Sequence, residues 1–163
     1  MAARAPRFPF LTFLIASAAI VGTALGSQYL GGLSPCELCL LERWPYYIAI
    51  IVAAFGFAAR GHRAPRLFAI WLIVLLFAAS TCLAAYHVAV EQHWIAGPTA
   101  CTGGLGQASS PDQLLKMLQE RQPVQCDVVQ WSIFGISLAG LNLIASVLLL
   151  IFGFVMARRG DVS

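Results

Sequence analysis

Long stretches without a charged side chain constrain this sequence more than any other feature. Four of them hold 29, 16, 24 and 30 mostly apolar residues and lie between Arg7 and Glu37, Arg43 and Arg60, Arg66 and Glu91, and Asp127 and Arg158. A helix needs about 20 mostly apolar residues to cross a bilayer. The second stretch reaches that length if its helix begins near Leu40 and brings Arg43 to the membrane surface. We therefore expect four spans, over about residues 9–30, 40–59, 67–88 and 132–156.

The composition supports a membrane protein. Only 10% of the 163 residues are charged, against about 25% in soluble domains, and the mean hydropathy is +0.80. Backbone polar groups in lipid must be satisfied within the chain, so the spans are helices. The sequence predicts an all-α integral membrane four-helix bundle, a single domain over residues 1–163. The net charge of +3 gives no basic surface for a nucleic-acid partner.

Basic residues predict the orientation of the spans, because Lys and Arg are enriched in cytoplasmic loops. Seven arginines fall on one side and three basic residues on the other: Arg4, Arg7, Arg60, Arg63, Arg66, Arg158 and Arg159 against Arg43, Lys116 and Arg121. We expect both termini to be cytoplasmic and loops 31–39 and 89–131 to face outward. The small residues 23–27 also allow a cleavable signal peptide, but the apolar run is longer than the 7–15 residues usual there, which favours a retained helix.

Small residues predict where helices pack closely. Ala18, Gly22 and Gly26 recur at four-residue spacing in the first span, and the fourth span contains Gly135, Ala139 and Gly140. Such positions let helix backbones approach each other in lipid. We expect both sets to contact neighbouring helices.

Four of the five cysteines fall in the outward loops, Cys36 and Cys39 in the first and Cys101 and Cys126 in the second. Disulfides persist on the oxidising side of a bacterial membrane. Cys82 lies in the third span and is interpreted as a small apolar packing residue.

The Cys36–Cys39 pair has three interpretations. A zinc site using all four outward cysteines is disfavoured, because such sites usually combine two close pairs and Cys101 and Cys126 are 25 positions apart; no metal is expected. A permanent disulfide would close a very small ring and stabilise little. A redox-active pair is favoured, since the start of the second helix and Arg43 both stabilise a thiolate. At the bilayer surface this pair can meet a soluble protein or a membrane quinone.

The second outward loop suggests a relay. Ser110 and Pro111 begin a short amphipathic helix over Asp112–Arg121, which we expect to lie on the membrane surface. Cys101 adjoins a glycine-rich stretch that a partner thiol can reach, whereas Cys126 lies near the fourth span. Electrons would pass from a partner to Cys101–Cys126, then to Cys36–Cys39 and a quinone, through a transient Cys36–Cys126 bond.

The segment Pro35–Arg43, with its pattern P-C-x-L-C-x-x-E-R, resembles the first outward loop of the bacterial disulfide-bond formation protein DsbB family. Cys126-Asp127 followed by Trp131–Ser137 resembles that family's approach to its fourth helix. The resemblance covers nearly the whole chain. It implies a multi-pass protein of the bacterial inner membrane that reoxidises a periplasmic thioredoxin-fold protein of the DsbA type and reduces ubiquinone or menaquinone.

The resemblance also implies a role for each site residue. Cys101 would be attacked by the partner, and Cys36 and Cys126 would form the interloop bridge. Cys39 would form the thiolate–quinone charge-transfer species. Arg43 and His87 would lie beside the quinone.

Three alternatives stay open from the sequence. One is a quinone-linked reductase of the vitamin K epoxide reductase type, which also carries a Cys-x-x-Cys pair in a four-helix bundle. Another is a non-enzymatic adaptor stapled by disulfides. The third is an oxidase whose partner is a dedicated protein in place of DsbA, since the second loop shares little sequence with the DsbB pattern.

Overall fold

The computed structural model describes residues 8–59, 62–98, 110, 112 and 125–159. Four helical stretches in them are long and apolar enough to cross a membrane: Phe8–Tyr29, Glu37–Ala58, Arg63–Glu91 and Leu138–Arg159. The described part of the chain is otherwise nearly free of regular structure, with one two-stranded hairpin. The prediction of an all-α membrane four-helix bundle is confirmed. The predicted surface helix Asp112–Arg121 lies outside the described residues except for Asp112.

The second span consists of two helices. After α1 (Phe8–Tyr29), α2 covers Glu37–Leu41 and α3 covers Trp44–Ala58. The break at residues 42–43 coincides with a proline at the start of α3, which has no N–H to donate back into the preceding turn. The span therefore begins three residues earlier than the predicted Leu40. Glu42 and Arg43 occupy the turn between its two parts.

The third span, α4 (Arg63–Glu91), is longer than the predicted 67–88 at both ends. Its first turn contains Pro65, which a helix tolerates there because the N–H groups of the first turn have no partner within the helix. The additional residues at the other end extend the helix beyond His87 and place Glu91 at its last position.

The predicted start of the fourth span at residue 132 is wrong. Residues 132–137 form a hairpin of β1 (Ser132–Ile133) and β2 (Ile136–Ser137), and α5 covers Leu138–Arg159. Phe134 and Gly135 have φ angles of 52° and 82°, the positive values that a two-residue hairpin turn requires. The Oγ of Ser137 accepts a hydrogen bond from the N–H of Gly140 at 3.0 Å, so this serine caps α5.

The spans pack in the order α1, α3, α4 and α5, with α1 and α5 in little contact. Aromatic and aliphatic side chains fill the centre, among them Phe10, Phe13, Tyr46, Ile73 and Phe77. The bundle is therefore closed along three of its helix pairs and open between the first and last spans.

The predicted close packing at Gly22 and Gly26 is wrong, because a Cβ atom at either position would meet no described residue within 4 Å. Gly135 lies in the hairpin, outside the fourth span. The close approaches involve other glycines: a Cβ on Gly56 would lie 2.3 Å from the ring of Phe10, and one on Gly153 would lie 3.2 Å from Phe13. The spacing of small residues does not indicate which face of a helix meets a neighbour.

Candidate functional site

The Cys36 sulfur caps the start of α2. Cys36 has an extended backbone (φ −74°, ψ 170°), and its Sγ accepts a hydrogen bond from the N–H of Cys39 at 3.2 Å. This is the position where serine or aspartate usually satisfies a free N–H group of a helix. A sulfur that accepts this hydrogen bond is stabilised as a thiolate.

Cys36 and Cys39 are free thiols whose Sγ atoms lie 2.7 Å apart. A disulfide bond is about 2.05 Å long, so the pair is within reach of one. Cys36 is buried, with 4% of its surface exposed, and Cys39 is half-buried. Cys39 is therefore the more accessible thiol.

His87 of α4 lies between Cys36 and Glu42. Its Nε2 is 3.6 Å from the Cys36 Sγ, and its Nδ1 is 2.9 Å from Oε1 of Glu42. An ionised carboxylate accepts but does not donate, so Nδ1 carries its proton and Nε2 faces the sulfur. Thiol, imidazole and carboxylate thus stand in the order that activates a cysteine nucleophile in many enzymes.

The contacts of Cys36 with Cys39 and His87 both lower the pKa of its thiol. The hydrogen bond shared with Cys39 has the largest effect, and the hydrogen bond with His87 adds to it, so the pKa of Cys36 falls well below 9.0 although burial opposes the change. In this dithiol state the stabilised sulfur is Cys36. The thiolate that the resemblance implies for Cys39 stays a prediction.

Glu42 was not among the functional residues predicted from the sequence, where it appeared only as the Glu of the P-C-x-L-C-x-x-E-R pattern. It is buried at the junction of α2 and α3. Its Oε2 accepts a hydrogen bond from Nδ2 of Asn142 at 2.9 Å, and Oδ1 of Asn142 accepts one from the Tyr46 hydroxyl at 2.6 Å. A carboxylate buried inside a membrane span costs free energy unless it is paired. The position of Glu42 inside the predicted span 40–59 was therefore the sequence feature that could have identified it.

The hydrogen-bonded chain continues into the bundle. The Tyr46 hydroxyl lies 2.8 Å from the Ser146 Oγ, which lies 3.0 Å from the Ser80 Oγ. Since α3, α4 and α5 each contribute to it, the chain ties the site to three of the four spans. Buried polar groups that are fully paired hold a site in one arrangement.

Arg43 lies beside this group, in the turn between α2 and α3. Its Nη1 donates a hydrogen bond to Oε1 of Gln28 at 2.7 Å, near the end of α1. The side chain is half-buried. Arg43 therefore reaches across to the first span.

A cavity of about 390 Å³ adjoins the dithiol, Arg43 and the Glu42–His87 pair. Its apolar walls come from α1 and α5, the two helices with little mutual contact, and include Ile20, Ala24, Leu141 and Ala145. One end is polar, where Cys36, Cys39, Arg43, His87 and Cys126 line it. Ligand pockets are typically apolar with a few convergent polar groups and about 300–1,000 Å³ in volume, so this cavity suits a small apolar molecule with polar atoms at one end.

Cys126 is buried in the same small cluster as Cys36, Leu38 and Val90. It is disulfide-bonded, and its partner lies outside the described residues, as does Cys101. The structure therefore brings Cys36, Cys39, Arg43, His87 and Cys126 together around one cavity. Cys82 is exposed on α4 and is a free thiol.

Fold and site together define a helical membrane protein with a buried dithiol at one end of its bundle. The family model for the disulfide bond formation protein DsbB matches residues 6–156, so the chain belongs to the DsbB family. It is a multi-pass membrane protein of disulfide bond formation.

Individual relatives agree with the family match. The chain is 29% identical over 159 residues to disulfide bond formation protein B of Aromatoleum aromaticum, covering 92% of this chain and 91% of the relative. It is 30% identical to the protein of the same name from Hahella chejuensis, covering 92% of each. Disulfide bond formation protein B 1 of Pseudomonas aeruginosa is 29% identical, with 94% and 96% covered. No solved structure matches.

Proposed function

We propose that this protein is a disulfide oxidoreductase of the bacterial inner membrane, with both termini cytoplasmic. It reoxidises a periplasmic thioredoxin-fold protein of the DsbA type and transfers the electrons to ubiquinone or menaquinone. One observation carries the proposal: the Cys36–Cys39 dithiol lies with His87 and Arg43 at the polar end of a cavity whose apolar walls are α1 and α5.

The cavity fits a quinone by its chemistry. Apolar side chains of α1 and α5 suit a hydrocarbon tail, and the weak contact between these helices leaves a route for a lipid-soluble molecule. Arg43 presents a guanidinium that can donate to a carbonyl oxygen, while its contact with Gln28 fixes its position. A bound quinone accepts two electrons and two protons and leaves as the quinol.

The protein thiols carry the electrons to that site. The partner's dithiol becomes a disulfide as the Cys101–Cys126 disulfide becomes a dithiol. Cys126 then attacks Cys36 of the oxidised Cys36–Cys39 pair, so the Cys36–Cys126 bond forms, the Cys36–Cys39 bond breaks and Cys39 leaves with the electron pair. Burial of Cys36 and Cys126 in one cluster supports this step. Cys101 then attacks Cys126, so the Cys101–Cys126 bond re-forms and the Cys36–Cys126 bond breaks. Cys36 and Cys39 are left reduced, with His87 able to hold the proton of Cys36 at Nε2.

The test is oxidation of a reduced thioredoxin-fold protein by the purified protein in detergent, with quinone absorbance and partner thiols followed together. We expect one quinone reduced for each partner dithiol lost. Cys39→Ser should abolish quinone reduction, and Cys101→Ser should block the partner while sparing the quinone site. Cys82→Ser, which alters an exposed thiol outside the site, should behave as the unaltered protein.

Two outcomes would contradict the proposal. Absence of turnover while Cys36 and Cys39 are intact would favour the disulfide-stapled adaptor. Oxidation of added quinol coupled to reduction of a partner disulfide, without the opposite reaction, would favour a reductase of the vitamin K epoxide reductase type.

A further inference from the structure

Three potential metal ligands converge at the dithiol. The Sγ atoms of Cys36 and Cys39 and a ring nitrogen of His87 all lie within 4.8 Å of one another. Two thiolates and an imidazole are the donor set that proteins use for Zn²⁺ and other thiophilic divalent cations. No other group of three such side chains was found in the described ranges.

We propose that the reduced Cys36–Cys39 pair and His87 form a three-ligand binding site for a thiophilic divalent cation such as Zn²⁺. This site differs from the four-cysteine zinc site disfavoured above. It needs neither Cys101 nor Cys126, the latter being disulfide-bonded. It also does not depend on the proposed function.

The distances suit a tetrahedral ion with one adjustment. Zn–S and Zn–N bonds of about 2.3 and 2.0 Å place a sulfur and a nitrogen ligand about 3.5 Å apart and two sulfur ligands about 3.8 Å apart. Cys36 Sγ and His87 Nε2 are 3.6 Å apart, close to that value. The two sulfurs, at 2.7 Å, would separate by about 1 Å, which a small rotation of the Cys39 side chain supplies.

The surroundings of His87 are those of a metal-binding imidazole. Such a ring usually donates its other N–H to a carboxylate, which fixes its orientation and raises its basicity. Glu42 accepts from Nδ1 at 2.9 Å and is itself held by Asn142. The cavity reaches all three ligands and has room for a water or small anion as fourth ligand.

The site depends on the redox state of the pair. Binding replaces the thiol protons by the metal, releases them to solvent and transfers no electrons. A Cys36–Cys39 disulfide has no thiolates to offer, so only the reduced protein binds. A bound ion would therefore hold the pair reduced until it is removed.

The test is titration of the reduced full-length protein with Co²⁺ in detergent, followed by displacement with Zn²⁺. Replacing Cys82, Cys101 and Cys126 by serine leaves Cys36 and Cys39 as the only thiols, so the signal is specific to them. We expect a thiolate-to-cobalt charge-transfer band with the ligand-field bands of a tetrahedral ion at one equivalent. The oxidised protein should show neither.

Two variants identify the imidazole as a ligand. Glu42→Gln should weaken Co²⁺ binding by about 10–100-fold, the usual effect of losing a carboxylate behind a metal-binding histidine, and His87→Ala should weaken it further. Cys82→Ser in the otherwise unaltered chain is the control for unrelated binding. The proposal would be overturned if reduced protein whose two thiols are titratable showed no Co²⁺ band. It would also be overturned if His87→Ala bound Co²⁺ as tightly as the unaltered chain. Neither result would affect quinone reduction by metal-free protein, which tests the proposed function separately.

Discussion

Oε1 of Glu42 accepts a hydrogen bond from Nδ1 of His87 over 2.9 Å, and this contact joins residues 45 positions apart. The two side chains are only 7% and 2% exposed. Because one ring nitrogen is held by the carboxylate, the other faces Cys36. The reactivity of the Cys-x-x-Cys pair is therefore set partly by a helix from another span.

Replacing His87 should make Cys36 less acidic. The contacts with Cys39 and His87 lower the pKa of Cys36 from 9.0. Cys36 therefore stays a thiolate at pH values where an ordinary thiol is protonated. The stability that this thiolate gives the reduced fold is present above pH 9.0 and is lost as pH falls through the lowered pKa. In His87→Ala, the midpoint of Cys36 alkylation against pH should move upward. Cys82→Ser should leave it in place.

The same variant should lower the reduction potential of the pair. A stabilised thiolate favours the reduced form, and each unit of pKa is worth about 1.4 kcal/mol, or about 30 mV for a two-electron couple. Equilibration with a glutathione buffer measures the shift. An unchanged potential in His87→Ala would show that the imidazole does not stabilise the reduced pair.

Removing the Glu42 carboxylate should destabilise the bundle. In Glu42→Ala, the hydrogen bonds from His87 and from Asn142 lose their acceptor inside the protein, and each buried donor left unpaired costs about 1–3 kcal/mol. Glu42→Gln keeps the size and one acceptor, so it should cost less. Thermal unfolding in one detergent compares the two, and equal losses would contradict a role for the hydrogen bonds.

Arg43 should affect quinone binding more than thiol exchange. If its guanidinium holds a carbonyl oxygen, Arg43→Ala loses a charged hydrogen bond worth about 1.5–3 kcal/mol, which raises the KM for quinone by about 10–100-fold. Exchange with a reduced partner in a single turnover should change little. Arg158→Ala is a matched control, because Arg158 lies at the far end of α5 against Phe154.

Filling the cavity should separate the two half-reactions. Ala145 lines the cavity on α5, so Ala145→Phe should strongly reduce quinone reduction while the partner still exchanges disulfides. Ala54→Phe adds the same bulk to an exposed position of α3 and should be neutral. Similar activity in the two variants would place the quinone elsewhere.

Two glycines should respond oppositely to alanine. A Cβ on Gly56 would lie 2.3 Å from the buried Phe10 ring, whereas one on Gly22 meets nothing described within 4 Å. Overpacking costs about 1–3 kcal/mol, and Gly→Ala in an open helix gains up to about 1 kcal/mol. Gly56→Ala should therefore lower the unfolding temperature and Gly22→Ala should keep or raise it. The reverse order would contradict the helix packing.

The sequence predicted the features that depend on residues close together in the chain. Uncharged runs identified four spans, because burying charge in lipid is costly whatever the tertiary contacts. The Cys-x-x-Cys spacing identified Cys36 and Cys39, the short second span singled out Arg43, and the family resemblance added His87. The roles assigned to these residues, and to Cys101 outside the described part, stay predictions.

What the sequence did not predict depends on contacts between distant segments. Nothing near Glu42 shows that it pairs with His87 and Asn142, at separations of 45 and 100 positions. The hairpin at 132–137 was missed because its residues are as apolar as the helix that follows. Which glycines face a neighbouring helix depends on the rotation of each helix about its axis. The spacing of small residues does not determine that rotation.

The polar chain from Cys36 through Glu42 to Asn142 draws on the second, third and fourth spans. A nascent protein in which α5 has not yet joined the bundle has the Cys-x-x-Cys segment but lacks the amide that holds Glu42. The hydrogen-bonded support of the dithiol is therefore complete only when the fourth span has packed against the second and third.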